Sequence, residues 1–215
     1  MRKVPIVTGE IYHIFNRGVN KLNIFFSEED YRRFLQAAIH YKTKTSKFSY
    51  EKGFSRDDPV SLSSTKKVGV QILAYSLMPN HFHLLVKQLI DGGITSYIRH
   101  LANSYSHYVS VKHKRSGPLF EGRFKNVLIE SQEQLIHVSR YIHLNPLVSN
   151  IVPDLKSYPW SSYLSYIKGR EDYLCDSAMV TEHFKSGKDY ESFVLNQADY
   201  GRELEKIKHL TLDLD

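Results

Sequence analysis

"YSLMPNHFHLLVK", Tyr75 to Lys87, is the stretch whose reading decides the fold. The apolar run that leads into it, "VGVQILAYSLM", has the composition of a strand, and Pro79-Asn80 is a tight-turn pair. "HFHLLVK" then returns as a second strand, so the stretch is a hairpin with two histidines at the start of its second arm. Side chains alternate faces along a strand. Phe82, Leu84 and Val86 therefore form one apolar face, while His81, His83, Leu85 and Lys87 share the other. At roughly 3.3 Å per residue the two imidazoles stand about 7 Å apart along the backbone, close enough to converge on one ion.

Outward from this hairpin, the chain alternates strand and helix patterns. "EIYHIFNRG" (Glu10 to Gly18) reads as a strand that stops at a glycine. "SEEDYRRFLQAAIHY" follows with Ser27 as N-cap, acids in its first turn and apolar residues at helical spacing. Residues 42–68 are polar and patternless, a long loop. Beyond the hairpin, "TSYIRHLANSYSHYVSVKHK" is helical and "GRFKNVLIE" alternates as a strand. In "SQEQLIHVSRYIHLNP", Ser131 and Gln134 make a capping box, and Pro146 sets the expected helix end near Leu144 or Asn145. At about 100° per residue, Leu135, Ile136, Val138 and Ile142 form the expected buried stripe. Gln134, His137, Tyr141 and Asn145 line one flank of it. This inventory is an α+β protein.

Composition narrows the function. Of 215 residues, 41% are hydrophobic, enough for a globular core. No run is long enough to span a membrane and no signal-peptide core opens the chain, so a cytoplasmic protein is expected. Cys175 is the single cysteine, which excludes a disulfide framework and a cysteine metal site. The formal charge of +6 favours a polyanionic partner. Lys112, Lys114, Arg115, Arg123 and Lys125 crowd into "VKHKRSGPLFEGRFK", interrupted only by Glu121. The 15 tyrosines can stack on bases, though core and surface filling explains most of them.

A histidine pair alone is a weak signal in a chain with 11 histidines. An ion held there needs further ligands, from the chain, from water or from a phosphate. His83 is followed by Leu84 and Leu85, so the HxHxDH hydrolase pattern is absent, as is HExxH. A self-sufficient zinc hydrolase is therefore unsupported.

Four separated motifs carry a more specific signal. "MPNHFHLLV", "GPLFEGRFKNVLIES", "VSRYIHLNP" and "YPWSSY", with "HIFNRG" near the start, together resemble the single-tyrosine HUH transposases, most closely the REP-associated tyrosine transposases. The resemblance covers roughly residues 8–170. It implies a ferredoxin-like antiparallel sheet of four to five strands with packed helices over residues 1–150, followed by a C-terminal helical extension over 151–215. It implies that Tyr141 is the nucleophile and that His81, His83 and Asn145 hold a divalent ion, Mg2+ or Mn2+. The implied reaction cleaves and rejoins single-stranded or hairpin DNA through a 5′-phosphotyrosine. Arg17, Lys112, Lys114, Arg115, Arg123, Lys125 and His137 are the candidate DNA contacts, positioning the strand rather than reading it. A monomer is expected over a homodimer. Tyr105 and Tyr108 are further tyrosines on chemistry alone, but packing explains them and neither matches the motif. The alternative function is a non-catalytic nucleic-acid-binding module on the same fold.

Overall fold

The computed structural model describes residues 5–43 and 69–196; most of the expected polar loop and the end of the C-terminal extension lie outside the described residues. The order of the principal elements is β1 (Ile11–Arg17), α1 (Glu28–Thr43), β2 (Val70–Met78), β3 (His81–Gln88), α2 (Gly93–Lys112), β4 (Lys125–Leu128) and α3 (Gln132–Val148). Three shorter helices follow, α4 (Tyr163–Lys168), α5 (Ala178–Thr181) and α6 (Gly187–Leu195).

The strands form a four-stranded sheet in the order β2-β3-β1-β4, and every pairing is antiparallel. This is the βαββαβ arrangement of ferredoxin-like folds, with β3 inserted between β1 and β2. The expected α+β class and sheet are both present. The hairpin turns on Pro79 and Asn80 alone, because Met78 pairs directly with His81.

Alternation places the core as the sequence implied. Tyr12 and Ile14 of β1 and Phe82, Leu84 and Val86 of β3 are buried on one face. Phe34, Ala37 and Ala38 of α1 and Tyr97, Ile98, Leu101 and Tyr105 of α2 fill the same core, with the Phe34 and Phe82 rings 5.3 Å apart. Burying an aromatic or branched side chain of this kind contributes about 1.5–3 kcal/mol, so this layer is the main source of stability. The second face is covered only in part. α3 lies chiefly against β2, which is buried on nearly every residue.

Two expectations for α3 need correction. The helix does not stop before Pro146 but runs through it to Val148. Proline costs a helix one N–H bond, the one to the carbonyl four residues back, and the helix continues past it, its end closed by the Pro146 carbonyl accepting from Ile151 and Val152. The buried stripe is also rotated. Leu135 and Ile142 are buried as expected, but Ser139 and His143 are buried while Ile136 and Val138 are only half-buried. The reason lies in the C-terminal segment, which supplies polar partners to that flank.

Candidate active site

The β1–β3 register sets out the working face. Arg17 pairs with His81 and Phe15 with His83, so His13, Phe15 and Arg17 share a face with the two histidines. From β4, Lys125 pairs with Phe15 and Val127 with His13, and both are exposed. The two β3 imidazoles lie perpendicular to each other with centroids 4.9 Å apart. His81 Nδ1 is 2.6 Å from Asn80 Oδ1. His83 is buried, and its Nδ1 is 2.8 Å from His13 Nε2.

Helix α3 brings the tyrosine to this face. Ser131 caps the helix by accepting from the Gln134 N–H at 3.1 Å, while Gln134 Oε1 accepts from the Glu130 N–H at 2.8 Å. The ring of Tyr141 stands edge-on to His83 at 5.5 Å and to His13 at 5.9 Å. With 38% of its surface exposed, it is open to a ligand from solvent. Asn145 follows one turn later and is buried, its Nδ2 donating to the Tyr141 carbonyl at 2.8 Å. That bond leaves Oδ1 as the amide's acceptor atom.

What holds the tyrosine in place is His143, two residues along. Its Nδ1 is 2.7 Å from the Tyr190 hydroxyl and its Nε2 is 2.7 Å from Ser162 Oγ. Burial pushes its pKa down to about 3, so the ring is neutral. The network continues at both ends: the Tyr190 hydroxyl is 3.1 Å from Ser139 Oγ, and Ser162 Oγ accepts from the Tyr75 N–H of β2 at 2.9 Å. α3 is thereby tied to both the sheet and α6.

Tyr105 and Tyr108 sit on α2, against the opposite face of the sheet. The Tyr105 hydroxyl is fully buried and donates to the Ile24 carbonyl at 2.7 Å, and burial drives its pKa well up. The Tyr108 hydroxyl donates to Asp30 Oδ1 at 3.0 Å.

The basic residues differ in their surroundings. Lys112 turns back on α1, where its ammonium lies 2.7 Å from both Glu29 and the fully buried Asp30. Burial pushes Asp30 up, but bonds from Lys112, the Phe26 N–H and Tyr108 outweigh it and hold the carboxyl below its ordinary value. Lys114 is exposed near the end of α2, and Arg115 donates to the Pro118 carbonyl at 3.1 Å. Arg123 and Lys125 are exposed at and beside β4, next to the histidine face. Arg17 lies on that face and pairs with Glu121 at 2.8 Å. His137 is on the outer flank of α3, 2.6 Å from Arg140.

Among the described residues no three His, Cys, Asp or Glu side chains are grouped to hold a metal. The donor set that includes amide oxygen is His81, His83 and Asn145, two imidazoles and a neutral oxygen on neighbouring elements. It fits a divalent ion that completes its shell with water or phosphate oxygens. Sequence reading had not singled out His13, Phe15 or Asn80 for the site. Of these, Asn80 stood next to the motif, while His13 and Phe15 needed the β1–β3 register.

The comparisons with known proteins bear on the family likeness and the fold. Residues 59–145 match the family model described as IS200-like transposase. The chain is similar to the IS200-like transposases. The matched span includes His81, His83, Tyr141 and Asn145, and it bears out the transposase resemblance carried by the separated motifs. A solved structure of a REP-associated tyrosine transposase bound to a REP hairpin superposes with a TM-score of 0.56. It is 18% identical and covers 82% of this chain and 93% of its own, a likeness that establishes the fold. No curated protein matches the chain.

Proposed function

We propose that this transposase-like chain is a metal-dependent DNA endonuclease and strand transferase acting on single-stranded or hairpin DNA. The observation that carries the reading is the meeting of Tyr141 with His83 on the open half of the sheet, at 5.5 Å between rings. Tyr141 Oη attacks the scissile phosphorus, the P–O3′ bond breaks, and the 3′ oxygen leaves with a proton while the phenol loses its own. The product is a 5′-phosphotyrosine and a free 3′-hydroxyl. A second 3′-hydroxyl displaces the tyrosine by the reverse step, so rejoining needs no nucleotide cofactor. A divalent ion, Mg2+ or Mn2+, held by His81, His83 and Asn145 supplies charge neutralisation at the phosphate.

Arg17, Arg123 and Lys125 lie at or beside the histidine face and are the best-placed phosphate contacts, with Lys114, Arg115 and His137 further out. Lys112 acts in the same proposal through α1, since its charge is matched by Glu29 and Asp30. The hairpin held by the structural neighbour supports a folded DNA substrate here. Because Tyr141 and His83 of one chain already meet, the reading works for a monomer. No helix among the described residues is long and apolar enough to cross a membrane. A cytoplasmic site of action belongs to the proposal.

The test is a covalent-adduct gel with end-labelled hairpin DNA and Mn2+. Wild type should give a protein–DNA adduct, and Tyr141→Phe should reduce it to background while still binding the hairpin. An adduct that persists in Tyr141→Phe would remove Tyr141 as nucleophile. Tight binding without any adduct from wild type would leave a non-catalytic binding module.

A further inference from the structure

We infer that Asn80 and His13 are positioning residues that set the ring tautomers of His81 and His83, so that both present Nε2 as the ligand nitrogen. The inference rests on the proposed metal site and adds two residues to it.

The Asn80 side chain is the clearer half. Its Nδ2 donates to the Lys21 carbonyl at 3.1 Å, which fixes the amide so that Oδ1 faces His81. An amide oxygen can only accept, so the Nδ1 it meets at 2.6 Å carries the proton. The lone pair of His81 is therefore on Nε2. The carbonyl that orients Asn80 comes from a constrained place. Lys21 and its neighbour Asn20 both lie in the left-handed region, at φ 60° and 53°. Non-glycine residues hold that conformation only where surrounding structure enforces it. The enforcement is visible here: the Asn80 carbonyl accepts from Gly18, and the Pro79 carbonyl accepts from Ile24 and Phe25. The 18–25 segment clamps the hairpin turn from outside.

His83 has the same arrangement with a different partner. Its Nδ1 meets His13 Nε2 at 2.8 Å, and the proposed metal site assigns its Nε2 to the ion. For that atom to offer a lone pair, Nδ1 must carry the proton and His13 Nε2 must accept it. The His13 and His83 rings are stacked, 24° from parallel with centroids 5.0 Å apart, which holds the pair in register. Ligand histidines generally give their second N–H to a fixed acceptor, and loss of that acceptor typically weakens metal affinity 10–100-fold.

The experiment is a long-range 1H–15N correlation spectrum of histidine-labelled, metal-free full-length protein, paired with Mn2+ titration by EPR. Wild type should show His81 and His83 as Nδ1–H tautomers. His13→Leu should turn His83 into a mixture and weaken Mn2+ binding about 10–100-fold. His13→Gln, which keeps an acceptor oxygen near the same place, should retain the tautomer and bind Mn2+ within about threefold. Asn80→Ala should release the His81 tautomer in the same way. His83 found as Nε2–H in wild type would overturn the assignment, as would a His13→Leu variant with unchanged tautomer and affinity. If His13→Leu does not fold, the wild-type spectrum and His13→Gln still decide. Wild type with the expected tautomers but no Mn2+ binding would sink the metal site of the proposed function and leave the tautomer assignment standing.

Discussion

A methyl group on Gly18 would lie 2.1 Å from the Leu22 carbonyl oxygen and 2.9 Å from the Ile24 side chain. The backbone there has an ordinary φ of −63°, so space and not conformation requires glycine. Gly18→Ala should cost about 1–3 kcal/mol by overpacking, measured as a lower denaturant midpoint at unchanged slope. It should also loosen the turn that carries Asn80, because the Gly18 N–H bonds the Asn80 carbonyl. Single residues also mark how far the sequence could be read. That His81 and His83 share a face follows from alternation alone. That His13 touches His83 does not, since a period of two says which face a residue takes and nothing about which strand lies beside it. Lys112 was similarly opaque: a lysine in a basic run gives no sign that a buried aspartate 82 residues earlier is its partner.

Helix α3 concentrates the element-scale predictions. Ser131→Ala removes the N-cap acceptor and should cost about 1 kcal/mol in thermal or denaturant unfolding. His143 makes a pH-dependent contribution. Its folded pKa is depressed to about 3 from an ordinary 6.5, so between those values the unfolded chain binds the extra proton. Stability from this group is complete above the unfolded pKa and is lost as pH falls towards the folded one. From pH 6 to 5 the wild type should lose roughly 1 kcal/mol through His143, and His143→Gln should show a shallower slope by about that amount. An identical slope in the two proteins would show that His143 is not the group responsible. The helix start was legible because a capping box is a local pattern. Its end and its buried flank were not, because Pro146 is accommodated by residues after it and His143 is buried by partners on α6 and before α4.

At the scale of the molecule, the C-terminal segment closes the sheet. β2 is an edge strand, and its outer side is bonded by Leu77 N–H to the Trp160 carbonyl, Ser162 N–H to the Tyr75 carbonyl and Asp176 N–H to the Ile72 carbonyl. Tyr158 and Tyr166 also donate to the Leu77 and Leu73 carbonyls. An uncovered edge is a template for pairing with other chains. A chain ended after Asn150 should therefore aggregate where the full chain stays dispersed, which light scattering would register. A well-dispersed, cooperatively unfolding fragment would show that the edge needs no cover. "YPWSSY" marked the start of this segment in the sequence, but isolated bridges such as Ser76 with Ser161 have no periodicity to reveal where it docks. The pin on α3 has a consequence in time as well as space. Ser162 and Tyr190 lie 19 and 47 residues beyond His143 along the chain. During synthesis the histidine hairpin and the helix carrying Tyr141 therefore emerge before the side chains that seat that helix. A nascent polypeptide that has not yet reached Tyr190 holds the parts of the proposed DNA-cutting centre without the bonds that seat α3.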